Sequence, residues 1–332
     1  MGKVALADFV NKALLFALLV LAVFLKGNFL WILFAHTVSN AVYFIIVFTY
    51  AKKITKIRFI FQKEKWFFII SRSWPIAFSI ALNLIYFKAD TILLSLFRTQ
   101  EEVGLYGAPY KIFEVLINIA YLFLGLLLPI MTAAYAQKKY LEFKNIIQYG
   151  LDTMLALGIP LIFGTFFIGK NVMVLIAGKE YETSGDILKI LIAAVLIIFL
   201  ASVFGYGIVS INKQKEMLLF YGINALVSLL AYLYFIPRYS FWGAAWVTVY
   251  SEFFILIASL FILYKNTQFI PSIKMLYKSC AASLVMSAAL ILVSHFPVVI
   301  VLPIAVMTYG ISLYFFGGVS KQTLSNMVKI RQ

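Results

Sequence analysis

Lys88, Asp90, Lys111 and Glu114 stand inside two apolar stretches of membrane length, residues 74–97 and 107–131. A charged side chain at the centre of a bilayer costs roughly 2.5–3.5 kcal/mol on insertion scales, so such residues pair with one another or line water, and they mark substrate and ion pathways. Helical spacing sorts the four. Lys88 and Asp90, two apart, point to different faces, whereas Asn83 and Asp90, seven apart, share one. Lys111 and Glu114, three apart, can pair on one helix. The short intervening loop also lets Lys88 reach Glu114 and Asp90 reach Lys111. Two readings stand: a closed neutralising network that locks two helices together, or a cavity in which at least one lysine meets an anionic substrate.

Other polar residues occupy apolar segments. Glu252 follows Ser251 in "GAAWVTVYSEFFIL", and Asp152 lies four residues after Gln148 near a helix end. His36, Thr37 and Asn40 fall on one face of the stretch 29–50, where a histidine suits either proton coupling or hydrogen bonding between helices. The segment Gly164–Asn171, "GTFFIGKN", approaches a phosphate-binding loop but ends in Asn where a magnesium-binding Ser or Thr is needed, and no strand precedes it. With two histidines and Cys280 as the sole cysteine, neither a metal centre nor a disulfide is expected. No cofactor is implied.

The elements that hold these residues are apolar and long. The chain has 332 residues, 64% hydrophobic and 12% charged, against about 45–50% and 25% in soluble domains. About ten stretches have the length a hydrocarbon core requires: 9–25, 29–50, 74–97, 107–131, 146–168, 187–210, 217–236, 242–264, 276–295 and 297–316. Helices satisfy their own backbone in lipid, so the expected fold is an all-α polytopic membrane protein. A signal peptide over Met1–Gly27 is disfavoured by Asp8 and Asn11 and by the lack of a small-x-small cleavage site before Lys26.

The net charge of +15 does not call for nucleic acid. With both termini cytoplasmic, cytoplasmic loops carry about threefold more Lys and Arg than the opposite side, which is the positive-inside pattern. The densest basic segment is Ala51–Trp66, "AKKITKIRFIFQKEKW". It reads as a linker that enforces topology or as an interfacial segment that touches anionic membrane lipids. It divides the chain into two helices over residues 1–50, a linker over 51–72, a six-helix lobe over 73–264, and two more helices with a basic tail over 265–332.

Three segments taken together resemble bacterial oligosaccharide flippases of the multidrug/oligosaccharidyl-lipid/polysaccharide exporter superfamily. They are "SRSWPIAFSIALNLIYFKADTILLSLFRTQEEVGLYGAPYKIFEVL", "VLIAGKEYETSGDILKIL" and "INKQKEMLLFYGINALVSLLAYLYFIPRYSFWGAAWVTVYSE". The resemblance implies two six-helix lobes around a cavity that opens alternately to each side of the inner membrane and moves a lipid-linked glycan. Glycan-assembly proteins would be its partners. It carries Lys88 in "YFKAD" and Lys111 in "APYKIFE" over as contacts for a polyprenyl pyrophosphate, lysine being an apt point charge for phosphate. Asp90, Glu114 and Glu252 are then charge partners or an ion relay, and His36, Asn40 and Asn83 are candidates to line the cavity. Family members have about twelve to fourteen helices, so about four of the amino-terminal lobe are expected to be missing from this chain. Three rivals remain: a drug or cation antiporter of the same superfamily, which would expose carboxylates; an inactive or purely structural remnant, suggested by the missing helices; and a membrane-integral glycosyl- or acyltransferase built on loop acids such as Glu101, Glu102, Glu180, Glu182 and Asp186.

Overall fold

A computed structural model describes residues 2–54, 62–293 and 295–318, without the side chains of residues 2–5, 54, 72 and 75–87. Much of the basic linker therefore lies outside the described residues; 51–54 complete one helix and Lys63–Trp66 begin the next. The helices are α1 (Gly2–Phe24), α2 (Phe29–Ile54), α3 (Lys63–Phe97), α4 (Gln100–Ala136), α5 (Tyr140–Ala177), α6 (Ser184–Ser210), α7 (Gln214–Thr267), α8 (Lys274–Val293) and α9 (Val298–Phe315), with one 3₁₀ turn at Lys179–Tyr181. Among the described residues there is no strand, and eight helices are long and apolar enough to cross a membrane. The protein is an all-α polytopic membrane protein.

The chain forms two compact units, Met1–Ser79 and Ile80–Gln332. In the first, α1 packs on α2. In the second, α6 is the central helix: it packs on α4, α5 and α7, and its exceptionally apolar sequence is buried on most sides. A helix hydrophobic all round belongs in such a position. The pair α8 and α9 packs against α5, where the Tyr309 hydroxyl donates to the Ala156 carbonyl at 2.7 Å.

Helix α7 holds the two expected spans 217–236 and 242–264. Its 54 residues break at Ser240, at φ 52° and ψ −136°. The arms run antiparallel, since Glu216 meets Asn266, Asn224 meets Ser251, and Tyr232 meets Thr248. Gly243 lets the returning arm pass: a Cβ there would lie 2.6 Å from the carbonyl oxygen of Phe235.

Contacts between loops fix the two ends of the second unit. At one end Arg98 donates to the carbonyls of Ile236 and Pro237, and the Ser184 hydroxyl donates to that of Leu105. At the other, Lys144 donates to the Gln268 carbonyl, and the Gln148 amide pairs with the backbone of Ser272. The second end carries Lys138, Lys139, Lys144, Lys213, Lys215, Lys265, Lys274 and Lys278 against Glu142 and Glu216. The first carries Arg98, Lys170, Lys179, Lys189 and Arg238, balanced by Glu101, Glu102, Glu180, Glu182 and Asp186. The basic bias thus concentrates at one end.

Gly243→Val should lower stability by about 1–3 kcal/mol, because the clash is with backbone and not with a movable side chain. Gly222→Ala, on the same helix with nothing within 4 Å of the new Cβ, should hold or raise stability. Thermal unfolding in detergent distinguishes the two, and equal melting temperatures would contradict the tight-turn reading.

Candidate functional site

The α3–α4 hairpin positions the site. Its turn is set by Thr99, which begins α4 through a reciprocal cap: the Glu102 amide donates to Thr99 Oγ1 at 3.3 Å, and the Thr99 amide donates to Glu102 Oε2 at 3.2 Å. A Thr-x-x-Glu start of this kind satisfies two orphan helix donors at once. From that point α4 buries Tyr106, Tyr110, Phe113 and Ile117, an i, i+4, i+7, i+11 stripe. Lys111, one step round from Tyr110, is turned off this stripe and is exposed.

Glu114 collects both lysines. Lys88 of α3 pairs with its Oε1, and Lys111 donates to its Oε2 at 2.9 Å. The Lys88 ammonium also sits 4.8 Å from the centre of the Tyr110 ring, a cation–π placement. Two positive charges therefore share one carboxylate. The Lys111 side chain is 76% exposed, and those of Lys88 and Glu114 are about a third exposed, at 37% and 30%. At about 1.5 Å per residue, Lys88 lies roughly 14 Å from the end of α3 at Phe97, close to the middle of a hydrocarbon core about 30 Å thick.

Asp90 is held differently. It is 3% exposed. The Tyr106 hydroxyl donates to its Oδ2 at 2.7 Å and the Thr91 amide to its Oδ1 at 2.7 Å. The structure does not bring it to Lys111; neutral donors replace the lysine that the short loop admitted. Glu252 is half-buried on the second arm of α7 and has no hydrogen bond or ion pair among the described residues.

A polar seam inside the α7 hairpin adds residues that the sequence reading passed over. The Asn224 amide donates to Ser251 Oγ at 2.8 Å, Ser228 bonds Asn224 at 3.4 Å, and Tyr232 and Thr248 share a hydrogen bond of 3.1 Å. All five are buried. Asn224, Ser228 and Tyr232 recur every four residues in an otherwise apolar arm, and that spacing was the available signal.

The remaining candidates are not gathered here. His36 and Asn40 belong to the first unit and are exposed; Asn40 Nδ2 donates to the His36 carbonyl one turn back, and Asn11 reaches Asn40 at 3.5 Å. The side chain of Asn83 lies outside the described residues. Asp152 accepts from Gln148 at 2.7 Å, and Asp186 is bound by Lys189 and Lys170 at 2.7 and 3.3 Å. Among the described residues no group of three His, Cys, Asp or Glu side chains could hold a metal ion.

Known proteins share this architecture. The family described as polysaccharide biosynthesis protein matches residues 1–135, and the MatE family matches 75–233. A putative O-antigen transporter of Shigella dysenteriae is 23% identical over 192 residues, covering 57% of this chain and 47% of the relative. The capsular polysaccharide biosynthesis protein CapF of Staphylococcus aureus is 26% identical over 191 residues, covering 55% of this chain and 46% of the relative. The structure of the lipid II flippase MurJ in an inward closed conformation aligns with a TM-score of 0.76 at 16% identity, over 94% of this chain and 67% of that one. The two family matches together run over residues 1–233, and the fold is that of the MurJ flippase structure. The alignments span about half the length of the curated relatives. The two family matches overlap over residues 75–135, the part of the chain that carries the lysine–glutamate cluster.

Glu114→Gln should destabilise the protein by about 1–3 kcal/mol, since it leaves two ammonium groups without a carboxylate. Lys111→Ala should cost under about 1 kcal/mol, because that pair is largely exposed. Chemical denaturation in detergent micelles gives both values; a larger loss for Lys111→Ala would show that Glu114 is not the hub.

Proposed function

We propose that this chain takes part in moving a lipid-linked oligosaccharide across a bacterial inner membrane by alternating access, with Lys88 and Lys111 meeting the phosphate that joins glycan to lipid. One observation carries the reading: at membrane depth two accessible lysines share a single carboxylate, while the neighbouring Asp90 is sequestered by neutral donors. The exposed face of the cluster then presents excess positive charge, and intramembrane charges of this kind face a water-filled cavity rather than lipid. Phosphate between sugar and polyprenol supplies the complementary anion.

The same observation disfavours the antiporter of cations, whose site would expose carboxylates and withdraw the lysines. Among the described carboxylates of the apolar segments, the half-buried Glu252, with no hydrogen bond or ion pair, comes nearest to that pattern. A transferase is also less well supported, because Glu102 is spent on a helix cap and Asp186 on two lysines. The relatives' names, a transporter and a flippase among them, agree with a non-enzymatic role. We place the lysine-rich end of the second unit in the cytoplasm by the positive-inside rule.

In cells that depend on this protein for surface glycan, the double variant Lys88→Ala/Lys111→Ala should cut export at least tenfold with the protein still in the membrane. Unchanged export would remove the lysines from the substrate path. For orientation, Cys280→Ser provides a cysteine-free background. In intact spheroplasts an impermeant maleimide should label Glu180→Cys and spare Lys139→Cys; the reverse pattern would invert the topology.

A further inference from the structure

The α7 hairpin carries a groove of about 700 Å³ between its two arms. Its walls are apolar or aromatic, among them Val227 and Phe235 on one arm, Tyr239 at the turn, and Trp242, Trp246 and Tyr250 on the other. Most of these side chains are exposed, and among the described residues no other helix contributes to the lining. The groove lies wholly within the second unit and takes no part in the lysine–glutamate cluster.

Its length and polarity have the shape of a lipid. From Val227 to Tyr239 the first arm rises about 18 Å, close to one leaflet of a hydrocarbon core about 30 Å thick. At the Val227 end the lining closes with Tyr250 from the returning arm and carries no charged side chain. The turn end gathers Tyr239, Trp242 and Trp246, and such amphipathic rings settle at the level of headgroups. A cation stands at that same end. The Arg238 guanidinium lies 3.7 Å from the centre of the Tyr234 ring, and Tyr234 packs edge-on against Phe235 of the groove wall, with ring centres 5.1 Å apart. Arg238 is exposed and forms no ion pair among the described residues. Its neighbours at this end are already committed: Arg98 donates to the carbonyls of the turn, and Glu102 is bound in the Thr99 cap. Among the described residues the Arg238 guanidinium has no carboxylate partner, and its planar fork fits phosphate.

We propose that the α7 groove is a binding site for an anionic phospholipid, one acyl chain lying between the arms and the headgroup phosphate on Arg238. The site is distinct from the transport path and stands whether or not the chain moves a glycan. An isolated aromatic rim would accept any phospholipid; the arginine is what selects a net negative head.

The test uses the two tryptophans of the groove as reporters. A variant with Trp31, Trp66 and Trp74 replaced by Phe is reconstituted into vesicles of phosphatidylcholine containing a minor fraction of acyl-brominated phosphatidylglycerol or acyl-brominated phosphatidylcholine. Brominated phosphatidylglycerol should quench Trp242 and Trp246 at least twofold more at equal content. Arg238→Gln should abolish that difference, and Arg238→Lys, which keeps the charge, should retain it. Ala231→Phe, which fills the groove wall, should reduce quenching by both lipids. Equal quenching by the two lipids, or a preference that survives Arg238→Gln, would overturn the proposal. Should Arg238→Gln fail to fold, the Lys and Ala231→Phe variants still decide it: a lost preference in the first, or full quenching in the second, contradicts the site.

Discussion

Hydrocarbon offers no water to an ammonium group, so every charge that α3 and α4 carry to membrane depth must find its partner in the protein or in a cavity. That constraint organises the second unit. Glu114 is placed where it can take Lys88 from α3 and Lys111 from its own helix, and the hairpin geometry that permits this rests on the Thr99 cap. Asp90 meets the same constraint by another route, with a phenol and a backbone amide as donors. The two solutions have different consequences. A carboxylate buried among neutral donors is held in place, whereas one shared by two solvent-accessible lysines leaves cationic capacity at the surface.

The apolar framework behaves as a rigid backing for that surface. Helix α6 is buried on most sides and touches α4, α5 and α7, so the face of α4 bearing Lys111 and Glu114 cannot turn inward without breaking the Tyr106, Tyr110, Phe113 stripe. Within α7 the buried Asn224, Ser251, Tyr232 and Thr248 pair with one another. Interhelical polar contacts in membranes contribute only about 0.6–2 kcal/mol each. Their larger effect is to set the register of the two arms, since any slip would strand polar groups in lipid. Register and turn together shape the aromatic groove at the Ser240 end.

Much of this was legible in the sequence because lipid enforces simple rules. Span lengths, the break between 217–236 and 242–264, and the gathering of lysines at one end all follow from hydropathy and charge. Lys111 with Glu114 followed from i, i+3 spacing. What spacing could not decide was the choice between two cross-hairpin pairings: Lys88 with Glu114 forms, while Asp90 turns to Tyr106. That choice depends on hairpin tilt and on a tyrosine whose hydroxyl is indistinguishable, in sequence, from those of ordinary membrane tyrosines. His36 and Asn40 share a helix face and read as a polar stripe; Asn40 donates to the His36 carbonyl one turn back and accepts from Asn11 of the neighbouring helix. A polar side chain one turn from a carbonyl has a local partner available, and only the coordinates reveal that it uses it.

On the proposed transport reading, the shared carboxylate solves a problem that a bare pair of lysines would create. A site that binds phosphate tightly enough to desolvate it must also release it, and an empty dicationic site in a low dielectric would be costly. Glu114 is a resident competitor: it occupies both ammonium groups when no anion is present, and a phosphate with more than one charge can displace it from one or both. Each half of the cycle then keeps its charges paired, so entry and exit differ by exchange of partners instead of by exposure of a naked ion. The partial exposure of all three side chains, where Asp90 is sealed, is what such an exchange requires.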